Sequence, residues 1–109
     1  MGINSEDMEA LFANEDDIQL ASRSLKSMAH PLRLKIVCII AGKTEACVQD
    51  IVDQVGTSQS NVSQHLAKLR EEGIITSRKE FNKVYYRISA LKVLKLISSL
   101  RDAFCRPLA

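Results

Sequence analysis

No stretch of this chain is apolar for long enough to span a membrane, and its first residues lack the basic-then-apolar order of a secretion signal. A cytoplasmic protein without membrane contact is the expectation. Histidine is scarce, with only His30 and His65, and there are three cysteines, Cys38, Cys47 and Cys105. No His, Asp or glycine-rich loop stands at a recognisable spacing from any of these thiols, so the activated nucleophile and base of a thiol enzyme are missing. Neither an enzyme nor a cofactor is expected. Lysine and arginine are absent from residues 1–22, which carry six acids. Residues 23–109 carry fifteen Lys and Arg against seven Asp and Glu, a balance of +8 that the net charge of +2 conceals. The folded part is basic and its leader acidic. A chain of 109 residues, 46% hydrophobic, suits one domain with a core of its own that gains from burying a shared dimer face.

What is present centres on Gly56 to Gly73, GTSQSNVSQHLAKLREEG. Val62, Leu66 and Leu69 recur at helical spacing, while Gln59, Ser60, Ser63, Gln64 and Lys68 fill the other side. Ser58 suits an N-cap and Gly73 the left-handed position past the end. Short amide and hydroxyl side chains gathered near a helix N-terminus match the part of a recognition helix that meets base edges and phosphates, although the same residues could form an ordinary polar surface. A short helix, Val48 to Val55, precedes it across the Gly56 turn, which completes a helix-turn-helix pattern. Two strand-like runs follow, Ile74 to Glu80 and Val84 to Ser89, joined by Phe81, Asn82 and Lys83. They form a basic hairpin with Arg78, Lys79, Lys83 and Arg87. The pattern predicts a mainly α winged helix-turn-helix, ordered α-α-α-α-β-β-α.

The base-edge candidates are Gln59, Ser60, Ser63 and Gln64, with Ser58 and Asn61 nearer the helix start, where Asn61 could serve the cap instead. Lys68, Arg78, Lys79, Lys83 and Arg87 are candidates for neutralising phosphates. Of Tyr85 and Tyr86, one is expected in the core and one on the surface. Upstream, residues 1–14 form an acidic, partly disordered leader with Met8, Leu11 and Phe12 as anchors, and the domain occupies residues 15–109. A helix is predicted from Glu15 to Met28 on a face of Ile18, Ala21, Leu25 and Met28. The next, Leu32 to Ala41 after Pro31, reads as apolar on every side and hence buried. The last, Leu91 to about Cys105, carries a stripe of Val93, Ile97, Leu100 and Phe104. Two apolar flanking helices suggest a second copy, which would set two recognition helices one DNA turn apart over a palindromic operator.

Leu25-Lys26-Ser27-Met28-Ala29-His30-Pro31-Leu32-Arg33-Leu34, then Ser58-Gln59-Ser60, Ser63-Gln64-His65-Leu66 and Leu69-Arg70-Glu71-Glu72-Gly73, resemble the ArsR/SmtB family of dimeric winged-helix repressors across residues 20–105. The resemblance implies a repressor that releases double-stranded DNA when a metal or a thiol-reactive species binds. The family's zinc positions match Ala90, Lys92, Ala103 and Arg106 here, none of which can ligate zinc. Its Cys-x-Cys metal site matches Cys47-Val48-Gln49, where half the pair is missing. For His30 and His65 a structural role is the expectation, so no metal site is assigned. Cys38 and Cys105 resemble the metal-independent dithiol branch of HlyU- and BigR/SqrR-like regulators, which implies a redox switch driven by an oxidant or reactive sulfur. Two alternatives stay open: an arsenic- or heavy-metal-responsive repressor using Cys47 with other thiolates, and a winged helix used only for protein contacts.

Overall fold

A computed structural model describes residues 2–105. Six helices surround a small sheet: α1 (Ser5–Ala13), α2 (Glu15–Met28), α3 (Pro31–Lys43), β1 (Ala46–Cys47), α4 (Val48–Val55), α5 (Gln59–Glu71), β2 (Ile75–Glu80), β3 (Lys83–Ile88) and α6 (Leu91–Phe104). The sheet is antiparallel in the order β1-β3-β2, with Ala46 opposite Tyr86 and a two-residue loop joining the Glu80–Lys83 pair. A helix-turn-helix, α4–α5, followed by the β2–β3 hairpin is a winged helix.

Asparagine writes the first boundaries. Asn4 Oδ1 accepts the backbone N–H groups of Glu6 and Asp7, and Asn14, just past the end of α1, accepts that of Asp17 to start α2. Residues 5–13, expected to be partly disordered, are therefore helical, although α1 buries none of its residues. At the α4–α5 corner Gly56 adopts φ 70° and its N–H closes on the Val52 carbonyl. A side chain is strained in that conformation, so glycine makes the turn possible.

The core gathers Ile36, Val37 and Ile40 of α3, Ile51 of α4, Val62, Leu66 and Leu69 of α5, Ile74 and Ile75 beside the wing, and Val93 and Ile97 of α6. Three expectations change here. Leu25 lies in solvent, and α2 buries Ser24, Ser27 and Met28 instead. The Ser24 hydroxyl donates to the Leu20 carbonyl and the Ser27 hydroxyl to the Glu72 carboxylate, so both polar groups enter the core satisfied. Nor is α3 buried all round. The rest of the domain covers its Ile36–Val37–Ile40 side, while Cys38 stays exposed because α6 leaves an open groove beside it. The third strand, β1, also lay outside the predicted order. It is two residues long and exists by pairing with β3, so no local periodicity announces it. No helix of the described residues is long and apolar enough to cross a membrane.

Candidate nucleic-acid interface and thiol groove

Helix α5 is held from behind. Val62, Leu66 and Leu69 have no exposed surface, and Ser58 Oγ accepts the Asn61 N–H at 3.1 Å to start the helix. The Asn61 side chain donates to Thr57 Oγ1 at 3.1 Å. Ser58 and Asn61, both named as DNA candidates, thus shape the helix entry. Gln59, Ser60, Ser63 and Gln64 stand exposed on the outer face with their amides and hydroxyls available, and Lys68 projects beside them, paired with Glu72 at 3.5 Å.

Two polar tethers fix the rear of the same helix. Ser27 of α2 reaches Glu72, and this hydrogen bond, with the Lys68 charge beside it, holds that carboxyl below the usual range. Arg33 Nε of α3 donates to His65 Nδ1 at 3.1 Å, and the His30 and His65 rings lie 4.9 Å apart, tilted by 40°. Partial burial and the positive neighbours His30 and Arg33 push the His65 pKa down, which favours the neutral ring that accepts from Arg33. The structural roles expected of both histidines are consistent with this packing. The roles of Ser27, Arg33 and Glu72 had no sequence signal, because their partners are 45, 32 and 45 residues away.

Arg78 is the residue whose surroundings differ most from its expected task. Its guanidinium donates to both Glu45 oxygens at 2.8 and 3.0 Å, donates to Glu80 Oε2 at 2.6 Å, and lies 4.8 Å above the Tyr85 ring. The paired hydrogen bonds lower the Glu45 pKa and raise that of Arg78. This cation is therefore occupied within the chain, and it braces β2 against the α3–β1 loop. The loop is itself strained: Thr44 has φ 69° and ψ −51°, and the Glu45 N–H closes on the Lys43 carbonyl at 2.7 Å, a γ-turn that is rare for a β-branched residue. Lys79, Lys83 and Arg87 are exposed along the wing with no carboxylate in ion-pair contact among the described residues. Tyr86 packs against the core, and half-buried Tyr85 supports Arg78.

On a separate face, α3 and α6 enclose an apolar groove of about 770 Å³ lined by Leu34, Cys38, Ala41, Leu94, Ile97, Leu100, Phe104 and Cys105. All three cysteines are free thiols. Partial burial, and then the influence of Cys105 across the groove, push the Cys38 thiol pKa up. Cys47 lies elsewhere, at the start of α4, where its N–H and thiol both donate to Asp50 Oδ2 at 3.1 and 3.3 Å. These bonds lower the Asp50 pKa. Among the described residues no three His, Cys, Asp or Glu side chains gather as a metal site. Ala90 caps α6, Lys92 pairs with Asp17 at 2.5 Å and Ala103 is exposed, while Arg106 lies outside the described residues.

Comparison with known proteins identifies the family to which the fold belongs. Residues 30–77 match the family model described as bacterial regulatory protein, arsR family. The biofilm growth-associated repressor of Xylella fastidiosa is 36% identical over 100 residues, covering 92% of this chain and 82% of that protein. The transcriptional activator HlyU of Vibrio cholerae is 38% identical over 82 residues, 75% of each chain. The solved structure of reduced HlyU from Vibrio cholerae superposes with a TM-score of 0.76 at 36% identity, over 84% of this chain and 96% of that one.

Proposed function

This chain belongs to the arsR family of bacterial regulatory proteins, and on that premise we propose that it is a cytoplasmic DNA-binding transcriptional repressor acting as a homodimer on a palindromic operator. The observation that carries the reading is the outer face of α5, where Gln59, Ser60, Ser63 and Gln64 stand exposed on a helix whose opposite side is fully buried. Such a helix can enter a major groove without rearranging, and its amides can pair with base edges. Lys68, Lys79, Lys83 and Arg87 supply phosphate contacts, while Arg78 sets the posture of the wing. Exposed apolar residues on α1 (Met8, Leu11, Phe12) and α6 (Leu91, Leu94, Phe104) favour a second copy as their cover.

Cys38 and Cys105 are the switch in this reading, supported by their position on the walls of one groove. An oxidant removes two electrons and two protons from the thiols as the disulfide forms; a peroxide would be reduced to water, and a polysulfide cleaved to smaller sulfur species. A bond tying α3 to α6 shifts the dimer face and with it the separation of the two α5 helices. In a reducing cytoplasm the bond is a signal and not a permanent brace.

Fluorescence anisotropy of a palindromic duplex, read with reduced protein and again after tetrasulfide or peroxide, tests both halves. Release from wild type, and from neither Cys38→Ser nor Cys105→Ser, is the expected result. Oxidant release that persists in both variants overturns the dithiol switch, and duplex binding that ignores salt overturns the DNA reading.

A further inference from the structure

At the tip of the wing, Phe81 has 91% of its surface exposed, the highest value among the large apolar side chains described. Its backbone is left-handed, with φ 56°, and it is the first of the two residues linking Glu80 to Lys83. When a two-residue hairpin turn needs a positive φ at its first position, glycine is favoured there, because a Cβ crowds the neighbouring carbonyl. A bulky ring at this point is strained and buries nothing within the chain.

Its surroundings separate it from the other exposed rings. Phe12 shares α1 with exposed Met8 and Leu11, and Phe104 lines the α3–α6 groove with Leu94 and Leu100, so a second copy meets an apolar patch at either. Phe81 has no such company. Lys79, Glu80, Asn82 and Lys83 around it are polar and exposed, and two of them are cations. A lone ring flanked by cations does not suit an apolar protein surface. It suits a polyanion whose floor offers apolar faces between two rows of phosphates. The tip is also held in place, because Arg78 anchors β2 to Glu45 and stacks on Tyr85.

We propose that Phe81 is the wing's contact with the DNA minor groove, its ring set against sugars and base edges beside the half-site while Lys79 and Lys83 bind the flanking phosphates. This rests on the DNA-binding reading above and adds to it a residue that touches no major-groove base. The minor groove, about 6 Å wide, admits a single side chain more readily than a helix, and apolar wedges are used there to open base steps.

The test uses the full chain and a duplex selected by the wild-type protein from a randomised pool, with 2-aminopurine placed just outside the half-site. Phe81→Gly removes the ring and suits the backbone, so its thermal stability should equal or exceed that of wild type. Its affinity should nonetheless fall about tenfold with an unchanged salt slope, because a stacking contact and no charge is lost. Phe81→Leu should keep most of the affinity. Wild type should change the 2-aminopurine fluorescence and Phe81→Gly should not. Wild-type affinity in Phe81→Gly overturns the inference and leaves the DNA reading standing. A changed oligomeric state in that variant overturns it in favour of a protein contact, and failure of wild type to bind any duplex in a salt-dependent way removes both readings together.

Discussion

Helix α5 sits on three side chains with no exposed surface and is tied from behind by Ser27–Glu72 and Arg33–His65, whereas the wing buries Ile75 at its root and is braced further out by Arg78 and its exposed ion pairs. Val62, Leu66 and Leu69 lie in the part of the molecule that excludes water, where each lost contact is felt, and the two tethers are partly buried beside them. The wing brace lies in solvent, where ion pairs are screened and add little to folding, yet they decide the direction in which a two-stranded hairpin points. A reading head needs both: a helix seated on a packed core, and an arm held in a preferred posture.

The sharpest way to break the comparison is to hollow the seat of α5. Leu66→Ala should lower the unfolding free energy by about 2–5 kcal/mol, the usual result of truncating a fully buried leucine. Urea denaturation measures it, and a loss no larger than that of an exposed-surface variant would mean that α5 is not seated as described.

Mild acidity should act on the helix side before it reaches the wing, whose Glu45 carboxylate loses its charge only at lower pH. Folded His65 holds its proton less tightly than the ordinary value of 6.5. The unfolded chain therefore takes up a proton first as pH falls, so the stability present above about 6.5 declines below it, until the folded ring titrates as well. His65→Gln should flatten this decline in urea midpoints recorded between neutral and mildly acidic pH. A decline of equal steepness in the variant would place its origin elsewhere.

The smallest effect on stability belongs to the wing brace. Glu45→Gln should leave the melting temperature where it is and weaken DNA binding severalfold at an unchanged salt slope, because the arm loses its posture and no phosphate contact is removed. Tighter binding with a slope steeper by about one ion would instead make Arg78 a phosphate contact that Glu45 holds back.

Much of the reading head was legible because its signals are local. The Val62, Leu66, Leu69 stripe, the Ser58 cap and Gly73 lie within one 18-residue stretch, and the observed helix runs from Gln59 to Glu71 with Gly73 at φ 79°. The hairpin appears within a residue or so of its predicted strands. Other features were visible but misjudged. Asn4 and the spacing of Met8, Leu11 and Phe12 mark α1, yet an acidic composition argued for disorder. Leu25 was placed inside by its hydrophobicity, while Ser24 and Ser27 took the buried side because partners were waiting for their hydroxyls.

The sequence by itself determined the order of most elements, the polar outer face of α5 and the basic character of the wing, since periodicity, caps and charge act within a few residues of one another. Tertiary structure alone decided which cations are occupied, which serines are buried, and that Cys38 and Cys105 open onto one groove. Those outcomes depend on groups tens of residues apart meeting in a packed interior or across a loop. Burial and pairing energies arise only where the chain has already folded back on itself.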